Sequence, residues 1–379
     1  MGIVKFLRSK LLNRHRRWDR AAGDGNGGES CSGRCGDAAA GAAMKRLGWG
    51  EIERITGGFA EVVGKGGFST VYLGRLRGCE EGSAAAVAVA AVKVHCGGVE
   101  RLSLAFKQEL DVLLRLKHQN IVRLLGYCDD ADQGALIFEY VSSGTLHEHL
   151  HGRGGDKRST LPWKSRVKIA YQLARAIEYL HERCTLHIIH GDIKSSNILL
   201  DGDSDSKLCD FGSAKMGFSS LIPPPSSSPS SSPYVRRKNL IMGSPGYTDP
   251  AYLRTGIASK KNDIYSFGVV VLELVTGLEA FRADKGQVLA SMAARMAKDV
   301  GHMDVHEAAK MVDPRLRGDF DVEEARALIE LARSCFDYST LIRPTASCVV
   351  KMMKEKVSSI SFANSNSNSN SKHKLSFDL

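Results

Sequence analysis

The chain reads as an α+β protein in which a strand-rich first part precedes a helix-rich second part. Three observations predict this. Between residues 59 and 94, runs of strand-forming residues lie on either side of a glycine cluster at Gly64, Gly66 and Gly67. From Trp163 onward, apolar residues recur every three or four positions, as in Trp163, Val167, Ala170, Leu173, Ile177 and Leu180. Residues 264–275 are apolar nearly all round, the mark of a helix enclosed on every side. Strands first and helices after argue segregated layers rather than a repeating βαβ sheet. With 379 residues, 43% hydrophobic and 25% charged, the chain has ordinary globular composition and room for more than one core.

In order along the chain, residues 1–20 interleave Ile3, Val4, Phe6, Leu7, Leu11, Leu12 and Trp18 with basic side chains. That pattern fits an amphipathic helix on an anionic membrane, with a solvated basic tail or a transit peptide as the plainer readings. The chain opens Met-Gly, but Phe6 stands where a myristoylation signal needs Ser or Thr, so that pattern is incomplete. Cys31 and Cys35 are candidates for acylation. Residues 22–42 are rich in Gly, Ala and Ser and read as a linker, and 1–48 as a whole as a flexible tail. Folded structure is expected from about Trp49–Ile55. Strands are expected at 59–63, 69–76 and Val87–Val94, with a long hairpin loop at 77–86. Leu102–Leu116 reads as a helix, Ile121–Tyr127 and Ala135–Glu139 as strands, and 286–299, 322–336 and 344–357 as helices. Residues 219–233 are rich in Ser and Pro, and 364–371 alternate Asn and Ser; neither can build a core.

Composition excludes several classes. The net charge of +10 is uneven: residues 1–20 carry seven cations against Asp19, a net +6, leaving +4 for the remainder. A nucleic-acid partner therefore has little support outside the tail. Nine scattered cysteines with no C-x-x-C pair fit reduced cytosolic thiols better than a disulfide framework or zinc ribbon. No apolar run reaches the length of a membrane span, and the early apolar residues are broken by Arg and Lys, unlike a secretory signal.

The chemistry is concentrated in residues 189–212. Asp192 can accept a proton from an attacking hydroxyl, and Lys194 can offset charge on a phosphate in transit. Asn197 and Asp210 supply oxygens, the ligands that hard cations such as Mg²⁺ prefer. The gaps of five and thirteen residues among Asp192, Asn197 and Asp210 match the catalytic and metal loops of protein kinases. On these residues the chain resembles a eukaryotic protein kinase of the plant receptor-like type. The resemblance implies a two-lobed kinase domain over 58–357. It divides into an N-lobe at 58–138 and a C-lobe at 142–357, with an activation-segment insert at 217–238 and a disordered tail at 358–379.

Further residues extend the likeness. Gly64-Lys65-Gly66-Gly67-Phe68-Ser69-Thr70-Val71-Tyr72 resembles the glycine-rich loop over ATP, with Val63 just before it and Ser69 in place of the third glycine. A Walker-type loop fails because Phe59 and Gly66 stand where it needs Gly and Ser or Thr. A dinucleotide fingerprint fails because a strand, not a helix, follows. Ala91-Val92-Lys93 is similar to the strand that carries the phosphate-binding lysine, and Glu109 lies on the next helix as its partner. Leu136–Val141 looks like the hinge. By resemblance Phe138 is the gatekeeper, the backbones of Glu139 and Val141 meet adenine, and Val63, Val71, Ala91 and Leu199 enclose the ring; plain core packing is the competing account of all four. Leu113, Leu124, His190 and Phe211 match the family's apolar spine, where His190 has a structural part. Lys194 two residues after Asp192 is the family's serine/threonine spelling, and Ser244 supplies a hydroxyl beside the base.

Three departures stand out. Gly191 replaces the arginine that precedes the base, so the chain resembles the non-RD kinases and has one cation fewer to hold a phosphorylated loop. Ala251 in Asp249-Pro250-Ala251 replaces a glutamate that pairs in the family with an arginine at the position of Arg343, leaving another acid, water or a loose segment to serve Arg343. Asp210 to Asp249 spans 39 positions, a long activation segment with many serines. His147-Glu148-His149-Leu150-His151 spells the zinc-peptidase pattern H-E-x-x-H, but Gly152, Gly154 and Gly155 end any helix at the second ligand. The resulting expectation is an ATP- and Mg²⁺-dependent serine/threonine kinase acting on proteins. It would be a cytoplasmic protein beside membrane receptor kinases, peripheral at the plasma membrane through residues 1–20. The alternative is a weakly catalytic pseudokinase scaffold, favoured by Gly191 and Ala251 and opposed by Lys93, Glu109, Asp192, Asn197 and Asp210.

Overall fold

A computed structural model describes residues 44–360 except 67–68, 78–86, 96–99, 131–132, 153–159, 220, 223–242 and 297–302. A six-stranded sheet in the order β1-β5-β6-β4-β3-β2 builds the first part. Its strands are β1 (Lys45–Arg46), β2 (Val62–Lys65), β3 (Ser69–Arg77), β4 (Val87–His95), β5 (Leu124–Asp130) and β6 (Gln133–Glu139). All neighbours run antiparallel except β1, which pairs parallel to β5. In β4 the alternation of a strand divides the side chains between two faces. Ala90 and Val92 are fully buried with Leu47, Ile52 and Ile137. Ala91 and Lys93 therefore point to the opposite face, and Ala91 packs on the larger core. A slip of one residue would bury the lysine in the outer layer and remove it from the site.

Folded structure begins with β1, a few residues ahead of the start expected at Trp49–Ile55. Helix α1 (Trp49–Ile55), which follows edge strand β1, packs on one face of the sheet, and Ile52 is completely buried there. Residues 44–57 thus pack on the sheet layer, ahead of the domain expected from 58. At the other end Val357 and Ile360 are buried, while Ser358 Oγ and the Ser359 N–H donate to Glu324, so the body runs on to 360 rather than stopping at 357. Phe59 lies not in a strand but in a turn with φ +62°, packed between Trp49 and Tyr72. Helix α2 (Glu100–Leu113) crosses behind the sheet and buries Phe106, Leu110 and Leu113.

The second part is helical. Its first helices are α3 (Leu146–His151) and α4 (Trp163–Glu178), the latter continued by a π-turn at Tyr179–Arg183. Short strand pairs follow, β7 (His187–Ile189) with β10 (Lys215–Gly217) and β8 (Ile198–Leu200) with β9 (Ser206–Leu208). Strand β11 (Leu221–Ile222) pairs with β12 (Ala258–Ser259), and the helix α5 (Pro250–Thr255) lies between them in sequence. Helix α6 (Lys260–Thr276) is the enclosed helix predicted from its composition, buried from Asn262 to Thr276. It is started by a Ser259–Asn262 capping box and stopped by Gly277 at φ +67°. Helix α9 (Val322–Cys335) crosses it closely. A Cβ on Gly268 would sit 2.7 Å from Cys335 Cβ, so only glycine permits the approach. Helix α10 (Ala346–Lys356) packs on α4. The stretch 286–299, expected to be one helix, instead opens with a hairpin of β13 (Phe281–Arg282) and β14 (Gln287–Val288), turning at Gly286 with φ +58°. Helix α7 starts only at Leu289 and reaches Met296; α8 (Val305–Met311) had no sequence forecast. The expected loop at 78–86, most of the insert, and the tails at 1–43 and 361–379 lie outside the described residues.

Candidate active site

Five side chains from distant parts of the chain meet where the sheet faces the helices. Lys93 Nζ donates to Glu109 Oε1 at 2.7 Å and Oε2 at 2.9 Å, and to Asp210 Oδ1 at 2.8 Å. Strand β4 supplies the lysine, α2 the glutamate, and the turn after β9 the aspartate. Burial alone would lower the Lys93 ammonium, but the two carboxylates outweigh it and raise it above its ordinary value. Burial would likewise raise Glu109, yet His95 and Lys93 hold it below the usual carboxylate range. Asp210 is also lowered: burial opposes this, and Lys93 overcomes it. All three stay ionised at neutral pH. Glu109 is 1% exposed and Asp210 47%, so the pair with Glu109 is fixed and the Asp210 carboxylate opens outward.

Asp192 lies on the loop between β7 and β8. Its Oδ2 accepts from Lys194 Nζ at 2.7 Å and from Asn197 Nδ2 at 3.2 Å; its Oδ1 accepts from Ser244 Oγ at 2.8 Å. Lys194 Nζ also donates to Ser244 Oγ at 3.0 Å. Asn197 Nδ2 reaches the Asp192 carbonyl too, at 2.9 Å, which leaves Asn197 Oδ1 as the atom able to ligate a cation. The Cys209 N–H donates to the Asn197 carbonyl at 2.9 Å, and this backbone bond holds the loop of Asp192 beside that of Asp210. Asp210 itself sits in the left-handed region, at φ 63° and ψ 77°. Two oxygen donors, one an ionised carboxylate, are a fitting set for Mg²⁺.

His190 holds the loop rather than the chemistry. Its Nδ1 accepts the Asp192 N–H at 3.2 Å while Nε2 faces the Cys209 carbonyl at 3.1 Å, so the proton belongs on Nε2. The ring meets Phe211 edge-on at 4.8 Å, and Leu113 and Leu124 belong to the same buried core. Beneath lies a residue that sequence reasoning missed. Asp263 accepts the N–H groups of His190 at 2.8 Å and Gly191 at 2.9 Å, and His181 Nε2 at 2.8 Å. The available signal was an acid placed directly before the apolar run at 264–275.

Most of the residues assigned to the nucleotide fall on β2, β3, β4 and β6 of the sheet that carries Lys93. Gly64 and Lys65 stand opposite Val71 and Thr70 on the β2–β3 pair, and the Gly66 N–H donates to the Ser69 carbonyl at 2.8 Å. Gly67 and Phe68 fall outside the described residues. Val63 is exposed, while Val71, Ala91, Val141 and Leu199 are half-buried. Phe138 opposes Ala91 across the β4–β6 pair. The Glu139 side chain is turned aside, accepting from Lys207 Nζ and the Arg123 N–H at 2.8 and 2.9 Å.

The structure resolves two of the anomalies. Asp249 serves Arg343 in place of the missing glutamate, with Arg343 Nη1 and Nη2 at 2.6 and 3.1 Å from its two oxygens. Glu148 of the H-E-x-x-H spelling is a capping residue whose Oε2 accepts the Thr145 N–H at 2.9 Å, so it is no peptidase base. The five described cysteines, Cys128, Cys184, Cys209, Cys335 and Cys348, are all unpaired. No helix among the described residues is long and apolar enough to cross a membrane.

Comparison with known proteins places this geometry among relatives. Residues 59–353 match the family described as protein kinase domain. A probable receptor-like protein kinase of Arabidopsis thaliana is 46% identical over 320 residues, covering 83% of this chain and 89% of that protein. The salt tolerance receptor-like cytoplasmic kinase 1 of Oryza sativa subsp. japonica is 47% identical over 347 residues, 91% of this chain and 89% of that protein. A probable LRR receptor-like serine/threonine-protein kinase of Arabidopsis thaliana is 37% identical over 314 residues, 82% of this chain but 32% of that protein.

Proposed function

The chain belongs to the protein kinase family, and from that premise we propose that it transfers the γ-phosphoryl group of ATP to serine and threonine hydroxyls of proteins, with Mg²⁺, in receptor-linked signalling. One observation carries the reading: Lys93 Nζ lies within 2.9 Å of Glu109 and of Asp210 at once, so sheet, helix and metal loop are assembled in one place. In this assignment Lys93, held by Glu109, positions the phosphates. Mg²⁺, when bound, neutralises charge on the β- and γ-phosphates. Asn197 Oδ1 and the Asp210 carboxylate would hold it. Asp192 orients the acceptor hydroxyl and takes its proton, and Lys194, 2.7 Å from Asp192, balances charge on the group in transit. The glycines of 64–67 let the backbone approach the phosphates, and Val63, Val71, Ala91, Val141 and Leu199 enclose the base.

The test is phosphate transfer to a generic Ser/Thr protein by the purified full chain with Mg-ATP. Asp192→Asn is expected to lower turnover by about 10²–10⁴-fold, the usual range for a general base, and Lys93→Met to abolish detectable labelling. Equal, feeble labelling by all three proteins, with ATP binding intact, would instead identify a scaffold. Residues 1–20 complete the reading: their net +6 favours an anionic membrane surface near membrane receptor kinases. Fractionation with and without residues 1–40 decides this, and unchanged partitioning removes it.

A further inference from the structure

A second cluster of ligating side chains lies apart from the phosphoryl-transfer residues. Helix α3 places His147 and His151 one turn apart, with ring centroids 5.1 Å from each other. Helix α6 brings Glu273 against them. One ligand atom from each of His147, His151 and Glu273 lies within 4.8 Å of the other two. His151 Nε2 is 3.0 Å from Glu273 Oε1, and these side chains are 4% and 0% exposed. Two ligands on one tetrahedral Zn²⁺ stand about 3.3 Å apart, given bonds of about 2.0–2.1 Å.

The surroundings resemble the outer shell of a metal centre. Glu273 Oε2 accepts from Tyr247 Oη at 2.8 Å, and Ser195 Oγ lies 2.8 Å from Tyr247 Oη, 3.3 Å from Glu273 Oε1 and 3.4 Å from His147 Nδ1. These hydroxyls carry no charge. A fully buried carboxylate faced by hydroxyls and imidazoles gains from a divalent cation that neutralises it, and hydrogen bonds to ligand atoms tune such a site. Half-buried His147 supplies the side open to an entering ion. Imidazole with one carboxylate selects Zn²⁺ over Mg²⁺.

We propose that His147, His151 and Glu273 form a transition-metal site of the His₂-carboxylate type, with water as fourth ligand, that takes Zn²⁺. Glu148 caps the helix and no other acid joins the cluster among the described residues, so the site is a clasp and not a hydrolytic centre. It joins α3 and α6 and reaches the Asp192 loop through Ser195 and the 243–248 segment through Tyr247. Metal occupancy would thereby stiffen the link between α3, α6 and the segments that carry Ser195 and Tyr247.

The experiment uses the chelator-stripped full chain in excess Mg²⁺ without nucleotide, so that Asn197 and Asp210 do not compete. Zn²⁺ is titrated against a chromophoric chelator, and Co²⁺ is used as a visible probe. One equivalent is expected to bind, giving the intense visible bands of four-coordinate Co²⁺ without thiolate charge-transfer bands, and raising the unfolding midpoint. His147→Ala and His151→Asn should each weaken binding at least about tenfold, since even removal of an outer-shell partner has that effect. His306→Ala, an exposed histidine elsewhere, should change nothing. If His147→Ala does not fold, His147→Gln replaces it. The site is refuted by no stoichiometric binding, by affinity unaltered in the His147 variant, or by thiolate bands showing that cysteines take the ion. The readout is metal binding, so none of these results bears on phosphoryl transfer.

Discussion

Arg343 grips Asp249 through both ends of its guanidinium, at 2.6 and 3.1 Å, and both side chains are at most 3% exposed. Asp249 stands two residues before Ala251, where the family carries the glutamate that makes this contact. The same carboxylate accepts from the Ala251 N–H at 2.8 Å and from Asn262 Nδ2 at 2.7 Å. One aspartate thus anchors the arginine, caps α5 and ties both to the start of α6. Asp249→Ala leaves Arg343 with the carbonyls of Asp337 and Lys261 and the face of Tyr265. The expected loss is about 3–5 kcal/mol, as for other buried pairs cut on one side. Urea unfolding measures it, and a loss below about 1 kcal/mol would mean that water serves the arginine equally well.

The glycine before the base has a backbone reason to be glycine. Gly191 has φ +78°, and a Cβ there would lie 2.9 Å from the Ser213 carbonyl oxygen. Its N–H is also held by Asp263. Restoring the arginine of related kinases is therefore not a simple gain of a cation. Gly191→Arg is expected to destabilise by about 1–3 kcal/mol through strain at positive φ and to lower turnover. Gly191→Ala should show most of the same penalty, because the clash begins at Cβ. Thermal unfolding of the two variants side by side checks this; a fully stable, more active arginine variant would show that the loop relaxes freely.

How far the sequence revealed the molecule depends on the range over which its signals act. Asp192, Asn197 and Asp210 were legible because reactive side chains sit at fixed intervals within apolar stretches, whereas Lys93 and Glu109 were named through the family resemblance. Strand β4 was legible because its alternation is local. Asp263 was not, since its value lies in accepting the amides of His190 and Gly191, more than seventy positions away. Glu273 was missed for the same reason: within α6 it is one acid in an apolar run, and only the fold brings His151 to it. The early start of the body escaped notice because Lys45 and Arg46, exposed and basic, look like more tail until they pair with Gly126 and Tyr127. At Gly286 a left-handed turn overrode a periodicity that favoured helix.

Ser244 ties the segment after the insert to the base. Its hydroxyl donates to Asp192 Oδ1 at 2.8 Å and accepts from Lys194 at 3.0 Å. Ser244→Ala removes both hydrogen bonds, and the one to the Asp192 carboxylate alone is worth about 1.5–3 kcal/mol. If that geometry persists in the transition state, kcat falls about 10–100-fold while KM for ATP stays unchanged. Ser244→Thr keeps the hydroxyl and should retain activity. A rise in the KM for ATP in the alanine variant would instead place Ser244 in nucleotide binding.

Acid sensitivity should trace in part to His118. Burial, with Arg175, Arg183 and Lys207 nearby, lowers its pKa from 6.5 to about 4. The geometry agrees: Nδ1 accepts the Asn120 N–H at 3.1 Å, and the ring stacks on Tyr179 at 5.0 Å. The folded state binds the proton less readily than the unfolded chain does. The stability that this confers is fully present above the unfolded pKa of 6.5 and is lost as the pH falls towards 4. Because the ring is only half-buried, solvent screening limits the effect to about 1–2 kcal/mol. His118→Phe keeps the stack and removes the proton site, so its stability should fall less steeply between pH 6.5 and 4 than that of the wild type. Chemical denaturation at several pH values gives both slopes; parallel curves would show that His118 titrates alike in the folded and unfolded chain.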